Sequence, residues 1–217
     1  MKDYAVLGCG RFGRTIATKL SELNQSVLLV DNDEDTVDEM SKIVTHAVFA
    51  DITQARVLES LGLSNFDVVI IAISSNFESS IVATVKCKEL GVETVIAKAK
   101  DQIRAKILKR VGADKVLIPE MDIANRTAVS LVENGIIDFI NLSDGLTIAE
   151  VNTPVEWVGK SIKELDVRSN FSINIVAIKQ EEHFNVSPDA DYEFRKGDKF
   201  LVIGDSDVLG ELFGHEE

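Results

Sequence analysis

Short apolar segments alternate with amphipathic segments along the first half of the chain. Apolar runs at 4–7, 27–30, 47–49, 68–73, 94–97 and 116–118 predict six strands. Because these runs are apolar throughout, they indicate a parallel sheet that is buried on both faces. Between two of them, Phe77, Ile81 and Val85 recur every four residues, as expected for a helix packed on the sheet. The pattern predicts a doubly wound, Rossmann-like α/β domain.

From Ile136 onward, the apolar runs become shorter and partly alternate with polar residues. Strand-like runs lie at 136–142, 146–151, 173–178, 184–187 and 200–203, and short helical runs at 161–165 and 208–213. Pro119 starts a helical run that ends at Asn134-Gly135, because proline favours the first helical position and glycine the position past the last turn. We therefore predict an N-terminal domain over 1–134, which includes a connecting helix at about 119–134, and a small α+β domain over 135–217.

The first predicted strand leads directly into Gly8-Cys9-Gly10-Arg11-Phe12-Gly13, a G-x-G-x-x-G loop that opens a helix. Gly8 permits the tight turn, Gly10 leaves room for a pyrophosphate beside the backbone, and Gly13 lets the helix pack close to the strand. The helix N-terminus offers free N–H groups to phosphate oxygens. A plain glycine turn is the alternative, but the context favours a nucleotide site.

An acidic residue further along the chain also supports a nucleotide site at the glycine loop. Asp31 ends the second predicted strand, about 20 residues beyond the glycines, where the dinucleotide-binding fingerprint places an acceptor for ribose hydroxyls. Its negative charge would repel a 2′-phosphate, and we therefore expect NADPH to be disfavoured.

Further polar residues follow the other predicted strands and are expected at the same edge of the sheet. Asp51 either flanks the adenine end of a ligand or caps the next helix, and Ser74-Ser75-Asn76 either lines the phosphate or second ribose or caps a helix. Arg11 and Lys98 are candidate phosphate partners, with solvated cations as the alternative. The predicted nucleotide-binding set is Gly8, Gly10, Arg11, Phe12, Gly13, Asp31, Asn32, Asp51, Ile52, Ser74, Ser75 and Lys98.

Composition narrows the classes of partner. The 217 residues carry a formal net charge of −13, which argues against a nucleic-acid surface and against direct binding to anionic lipid. Cys9 and Cys87 lie outside any metal-ligand spacing, and reduced, buried thiols fit a cytoplasmic protein. The longest apolar run, 68–73, is too short to cross a bilayer.

The chain offers little support for catalysis. A nicotinamide dehydrogenase needs a proton donor or acceptor near the hydride site. His46, His183 and His215 are the available histidines, and the sequence shows no His–Asp pair, Cys–His pair or metal cluster. We therefore expect a non-enzymatic protein, and keep an NAD-linked oxidoreductase as the alternative because the glycine fingerprint is shared.

Several longer stretches together resemble the RCK family, in particular the Ktr-type cytosolic regulatory subunits of bacterial potassium uptake systems. The matching stretches are AVLGCGRFG at 5–13, THAV at 45–48, NFDVVIIAI at 65–73, KRVGAD at 109–114, PEMD at 119–122, LDVR at 165–168 and INIVAIK at 173–179. The resemblance covers essentially the whole chain. It implies a nucleotide-sensing RCK (TrkA-N) lobe followed by a TrkA-C lobe that pairs with its twin.

The resemblance also implies an assembly and a mode of gating. Subunits of this kind form dimers and then an octameric ring on the cytoplasmic face of an integral-membrane K⁺ translocation subunit. ATP favours the conducting state and ADP the closed state. A regulator of a different cation transporter is the alternative, since a fold alone does not fix its partner.

Site residues follow from the same resemblance. Arg11 would contact phosphate across the dimer, Asp31 and Asp51 would hold ribose and base, and Glu120 would help to hold Mg²⁺ or Ca²⁺ at the ATP-bound dimer interface. The helix after Pro119 would cross over to the neighbouring subunit.

Some relatives bind cyclic di-AMP between paired C-terminal lobes, which inactivates uptake. The matching positions are Ile162, Asp166, Arg168, Asn174, Ile175 and Pro188. This sequence departs from the family at Cys9, which replaces a leucine, and at Ser74-Ser75-Asn76, which replaces a glycine-containing segment. The second departure leaves the choice between ATP or ADP and NAD or NADH open.

Overall fold

The computed structural model describes residues 2–73, 76–132, 136–143, 145–180 and 183–213. By its internal contacts, the chain divides into two compact units, Met1–Met121 and Asp122–Glu217. The predicted domain boundary at 134/135 lies outside the described residues and stays a prediction. Within the described part of the chain, no helix combines the length and apolar character needed to cross a membrane.

Six parallel strands form the sheet of the first unit. They are β1 (Asp3–Leu7), β2 (Ser26–Asp31), β3 (His46–Phe49), β4 (Val68–Ile71), β5 (Thr94–Lys98) and β6 (Lys115–Leu117). Their order in the sheet is β3-β2-β1-β4-β5-β6. The direction of winding reverses between β1 and β4, which places the topological switch point beside the glycine loop. The predicted doubly wound sheet is confirmed.

Helices cover both faces of this sheet. They are α1 (Arg11–Glu22), α2 (Glu34–Met40), α3 (Ala55–Ser60), α4 (Phe77–Glu89) and α5 (Gln102–Arg110), followed by α6 (Pro119–Val132), which begins in the first unit and ends in the second. Alternate residues of β1 enter two different cores, with Leu7 on one face and Val6 on the other, and both are fully buried. Burial on both faces explains why the strands are apolar throughout.

The second unit contains an antiparallel sheet. Its elements are β7 (Ile136–Ser143), β8 (Leu146–Asn152), α7 (Ile162–Leu165), α8 (Val167–Phe171), β9 (Asn174–Gln180), β10 (His183–Asn185), β11 (Lys199–Asp205) and α9 (Ser206–Phe213). The strands pair in the order β10-β9-β11-β8-β7. The predicted small α+β lobe is confirmed. The sequence pattern missed α8, because this helix has five residues and follows Asp166, whose φ of 39° is left-handed.

Aromatic side chains fill the core of the second unit. The ring of Trp157 lies 5.6 Å from that of Phe171, 5.5 Å from that of Phe194 and 5.6 Å from that of Phe200, measured between centroids. Phe194 and Phe200 are almost fully buried. Large buried rings of this kind dominate the packing energy of a small domain.

Candidate functional site

The glycine loop joins β1 to α1 with very little space between them. Gly8 has a φ of +101°, which favours glycine, and its N–H donates a 2.8 Å hydrogen bond to the carbonyl oxygen of Val30. A Cβ on Gly13 would overlap the carbonyl oxygen of Gly8. By contrast, a Cβ on Gly10 would have no atom within 4 Å. The loop is therefore tight where it packs on its own strand and open at Gly10.

The N-terminus of α1, like that of α3, lacks the side-chain cap that α2, α4 and α5 have. Helices α2, α4 and α5 begin after Asp33, Asn76 and Asp101, whose side chains each accept a hydrogen bond from a backbone N–H of the first turn. Gly10 occupies this position in α1, where no side-chain cap is formed and the first turn carries no acid. An N-terminus of this kind keeps its N–H groups for an external anion.

An open cleft of about 690 Å³ lies at the carboxyl edge of the sheet. It brings together six residues of the predicted set, namely Gly8, Gly10, Asp31, Asn32, Asp51 and Ile52. Asn76 also lines the cleft, whereas Ser74 and Ser75 lie outside the described residues. Sequence reasoning did not assign Thr53, Ala72 and Ile73, which line it as well. All three residues follow a strand of the sheet, and this position could have identified them from the sequence as lining residues.

Asp31 connects two of the chain segments that line this cleft. One of its carboxylate oxygens accepts a 2.5 Å hydrogen bond from the N–H of Cys9, and the other accepts a 3.0 Å bond from the N–H of Asp33. The side chain thus ties the glycine loop to the turn after β2. Each carboxylate oxygen retains a further acceptor site, which suits a ribose hydroxyl.

Asp51 is fixed by the turn that follows β3. Its carboxylate accepts hydrogen bonds from the hydroxyl of Thr53 at 2.7 Å, the N–H of Thr53 at 3.0 Å and the side-chain amide of Gln54 at 3.0 Å. These bonds, led by that of the Thr53 hydroxyl, lower the pKa of Asp51. The expectation that Asp51 caps the next helix is wrong, because α3 begins one turn later with Gln54 at its N-cap.

A charged cluster lies at the carboxyl ends of β5 and β6. The ammonium of Lys98 is 2.6 Å from a carboxylate oxygen of Glu120 and 5.7 Å from the ring centroid of Phe12. The hydrogen bond from Lys98 lowers the pKa of Glu120, and Arg11 adds a smaller contribution from its charge. Sequence reasoning assigned Lys98 and Glu120 to different ligands and missed their ion pair. Because β5 and β6 are neighbouring parallel strands, the signal was the position of Lys98 at the end of β5 and of Glu120 shortly after β6.

The second unit contains a separate open cleft of about 1210 Å³. It brings together five of the six positions predicted for cyclic di-AMP, namely Ile162, Asp166, Arg168, Ile175 and Pro188. The sixth, Asn174, is exposed at the start of β9, directly before Ile175, and is not part of the lining. The cleft combines the cations Lys163 and Arg168 with apolar side chains, which suits a ligand with phosphates and flat bases.

Comparison with known proteins identifies the family. Residues 4–119 match the TrkA-N domain, and residues 146–214 match the TrkA-C domain. The chain is 42% identical over 203 residues to Ktr system potassium uptake protein C of Bacillus subtilis (strain 168), covering 94% of this chain and 92% of the relative. The chain belongs to the Ktr family of potassium uptake proteins. The expected RCK membership is therefore confirmed.

A second relative agrees with this family, and a solved structure agrees with the fold. Ktr system potassium uptake protein A of Vibrio alginolyticus is 32% identical over 208 residues, covering 96% of this chain and 94% of the relative. Among solved structures, the GsuK channel superposes with a TM-score of 0.72 at 20% identity, covering 99% of this chain and 40% of that chain. At this identity, the superposition supports the fold alone.

Membership of the Ktr family also bears on catalysis. The Ktr relatives are subunits of potassium uptake systems and not enzymes, so the expectation of a non-enzymatic protein is confirmed and the oxidoreductase alternative is dropped.

The described residues of one chain do not provide a donor set that fits a divalent cation. Among the described residues, no group of three or more His, Cys, Asp or Glu side chains is arranged to hold a metal ion. The carboxylate of Glu120 is already paired with the ammonium of Lys98. A shared site between subunits stays a prediction from the family resemblance.

Proposed function

We propose that the chain is the nucleotide-gated regulatory subunit of a bacterial potassium uptake system. A nucleotide binds in the cleft at the switch point, with its ribose at Asp31, its base near Asp51 and its phosphates at the N-terminus of α1. The observation that carries this proposal is the convergence of Gly8, Gly10, Asp31 and Asp51 on one cleft beneath a helix N-terminus that lacks a side-chain cap. ATP favours the conducting state and ADP the closed state.

The proposed assembly explains how a small molecule controls a membrane protein. Two copies pair, and the pairs form an octameric ring on the cytoplasmic face of an integral-membrane K⁺ translocation subunit. A ligand shifts such a ring only by binding its two states with different affinity. A shift from a mostly closed to a mostly open ring requires the ligand to bind the open state more tightly by about 5 kcal/mol in total. This difference in binding free energy is divided among the equivalent sites of the ring.

Thermal unfolding of the pure protein tests the nucleotide site. At about 100 times the dissociation constant, ATP or ADP stabilises the folded state by about 2.7 kcal/mol, which raises the unfolding temperature by several degrees. Asp31→Ala removes this shift, whereas Asp35→Ala, an exposed acid of the neighbouring helix, keeps it. NAD and NADH serve as comparison ligands. The absence of any shift with all four nucleotides contradicts the proposal.

Co-purification tests the partner. The tagged chain, expressed in its native host, should retain a potassium-translocating membrane subunit, and its mass in solution should correspond to an octamer. Recovery of a transporter for a different cation would instead support the alternative partner class.

A second ligand is proposed for the cleft of the second unit. Cyclic di-AMP binds where Ile162, Asp166, Arg168, Ile175 and Pro188 meet, and inactivates uptake. The observation that favours it is that five positions separated along the chain line one cleft, which joins two cations to apolar side chains. Calorimetry with the pure protein tests this binding independently of ATP.

A further inference from the structure

The parallel sheet repeats one structural unit on either side of its switch point. In the first half, β1 leads through α1 into β2, and in the second half, β4 leads through α4 into β5. In a doubly wound sheet of this kind each half can bind one nucleotide, and a dinucleotide such as NAD spans both halves. The residues at the carboxyl edge of the second half therefore determine whether a second nucleotide can bind.

The second half lacks the features that make the first half a candidate nucleotide site. Between β4 and α4, the segment 72–76 contains no glycine, and Asn76 caps α4 by accepting a 3.2 Å hydrogen bond from the N–H of Ser79. Lys98 ends β5 at the position where Asp31 ends β2. An ammonium donates hydrogen bonds and accepts none, so Lys98 cannot accept a bond from a ribose hydroxyl as Asp31 can.

A separate, smaller cleft lies at the carboxyl edge of this second half. Its volume is about 340 Å³, against about 690 Å³ for the candidate nucleotide cleft. Ile73 lines both clefts, so the two are adjacent. The ring of Phe77 and the cations Lys98, Lys100 and Arg104 also line the smaller cleft. A dinucleotide that extends across the switch point from the first cleft reaches this second one.

Arg104 covers the ring of Phe77 within the smaller cleft. The guanidinium carbon of Arg104 lies over this ring, 5.4 Å from its centroid. Asp101 holds Arg104 in place, because one carboxylate oxygen accepts a 2.8 Å hydrogen bond from the N–H of Arg104 and the other lies 3.2 Å from the guanidinium. A guanidinium is attracted to the face of an aromatic ring. A second base can therefore stack on Phe77 only by displacing Arg104.

We propose that Phe77 and Arg104 are specificity-determining residues that close the second half-site, so that the nucleotide cleft prefers adenosine phosphates to NAD and NADH. NADH consists of an ADP unit joined to a second ribose that carries nicotinamide. The ADP unit fits the first cleft, whereas the second ribose and its base meet the stacked pair of Phe77 and Arg104. This inference rests on the nucleotide site of the proposed function.

Calorimetric titration of the full chain with ADP and NADH tests the closure, in EDTA so that no divalent cation takes part. The wild type should bind ADP about tenfold more tightly than NADH. Phe77→Ala and Arg104→Gln should each reduce this ratio by about fivefold, because they strengthen NADH binding and leave ADP binding unchanged. Phe77 also packs against the core of the first unit, so Arg104→Gln, at an exposed guanidinium, provides the test that does not depend on core packing.

Two matched variants outside the cleft serve as controls. Val82→Ala removes an exposed apolar side chain from α4, and Arg110→Gln removes an exposed cation from α5. Neither should change the ratio of the two affinities. The closure is overturned if the wild type binds NADH as tightly as ADP, or if Arg104→Gln leaves the ratio unchanged. A wild-type chain that binds neither ADP nor NADH contradicts the nucleotide site itself, which separates the two failures.

Discussion

Gly13 packs so closely on Gly8 that a β-carbon at Gly13 would overlap the carbonyl oxygen of Gly8. This contact sets the distance between α1 and the sheet, and so places the helix N-terminus above the cleft. Gly13 and Gly10, which look alike in the motif, therefore have different roles in the structure.

Gly13→Ala is expected to destabilise the first unit. The new methyl meets backbone, which cannot move aside as a flexible side chain would, and overpacking of this kind costs about 1–3 kcal/mol. Chemical denaturation with circular dichroism measures the loss. An unchanged denaturation midpoint would show that α1 moves away from the loop without cost.

Gly10→Ala should leave stability within about 1 kcal/mol of the wild type, since its backbone conformation is open to any residue and a methyl there meets no atom. It should nevertheless weaken nucleotide binding by tenfold or more, because the methyl occupies the approach to the helix N-terminus. Titration with ADP measures this effect. Equal affinities of wild type and variant would place the phosphates elsewhere.

Asp114 is expected to make the first unit sensitive to acid. Its carboxylate accepts a 2.7 Å hydrogen bond from the N–H of Val95 and a 3.0 Å bond from the ammonium of Lys88. The bond from Val95, with a smaller contribution from Lys88, lowers the pKa of Asp114 in the folded state. The corresponding stability is therefore present above the ordinary carboxyl pKa of about 4 and is lost as the pH falls below it.

Asp114→Asn tests this dependence. At pH 7 it should lower the free energy of unfolding by about 1 kcal/mol, because the side chain is partly exposed and its bonds are only partly shielded from water. The difference from the wild type should shrink as the pH approaches 3. Denaturation measured between pH 3 and pH 7 gives the comparison, and a difference that is constant over this range would contradict the assignment.

Arg168→Ala should weaken the binding of cyclic di-AMP with little effect on stability, because Arg168 is exposed on α8 and lines the cleft. Loss of a charge-assisted contact to phosphate weakens binding by about tenfold or more. Lys160→Ala removes a cation from an exposed position outside the lining and should bind normally. Equal loss in both variants would indicate a general effect of charge.

Phe200→Ala should unfold the second unit selectively. Phe200 is fully buried and its ring lies 5.6 Å from that of Trp157, so its truncation costs about 3–5 kcal/mol. Trp157 is the one tryptophan in the sequence, so its fluorescence reports on this unit. Phe184→Ala, at a ring that is 41% exposed, should change the midpoint much less.

The sequence predicted the sheet of the first unit because local signals and burial agree there. Strands that are apolar on both faces can only lie inside a covered sheet, and the glycine loop leads directly from such a strand into a helix. Positions at or just past strand ends, such as Asp31 and Asp51, were predicted to meet because parallel strands end at one edge. Their common cleft follows from the same periodicity.

What each polar side chain contacts was decided only by the tertiary structure. Asp51 accepts hydrogen bonds from Thr53 and Gln54 and does not cap α3, because the chain makes one further turn before the helix starts. The short helix α8 follows a left-handed residue that no apolar period reveals.

The ion pair of Lys98 with Glu120 joins residues from the ends of two different strands. Of the two side chains, that of Lys98 is largely buried and that of Glu120 is exposed. By itself, the sequence determined the fold class and the edge at which the site lies, since both follow from the periodicity of burial. Hydrogen bonds and exposure depend on which distant segments pack together, and they were set by the folded chain alone.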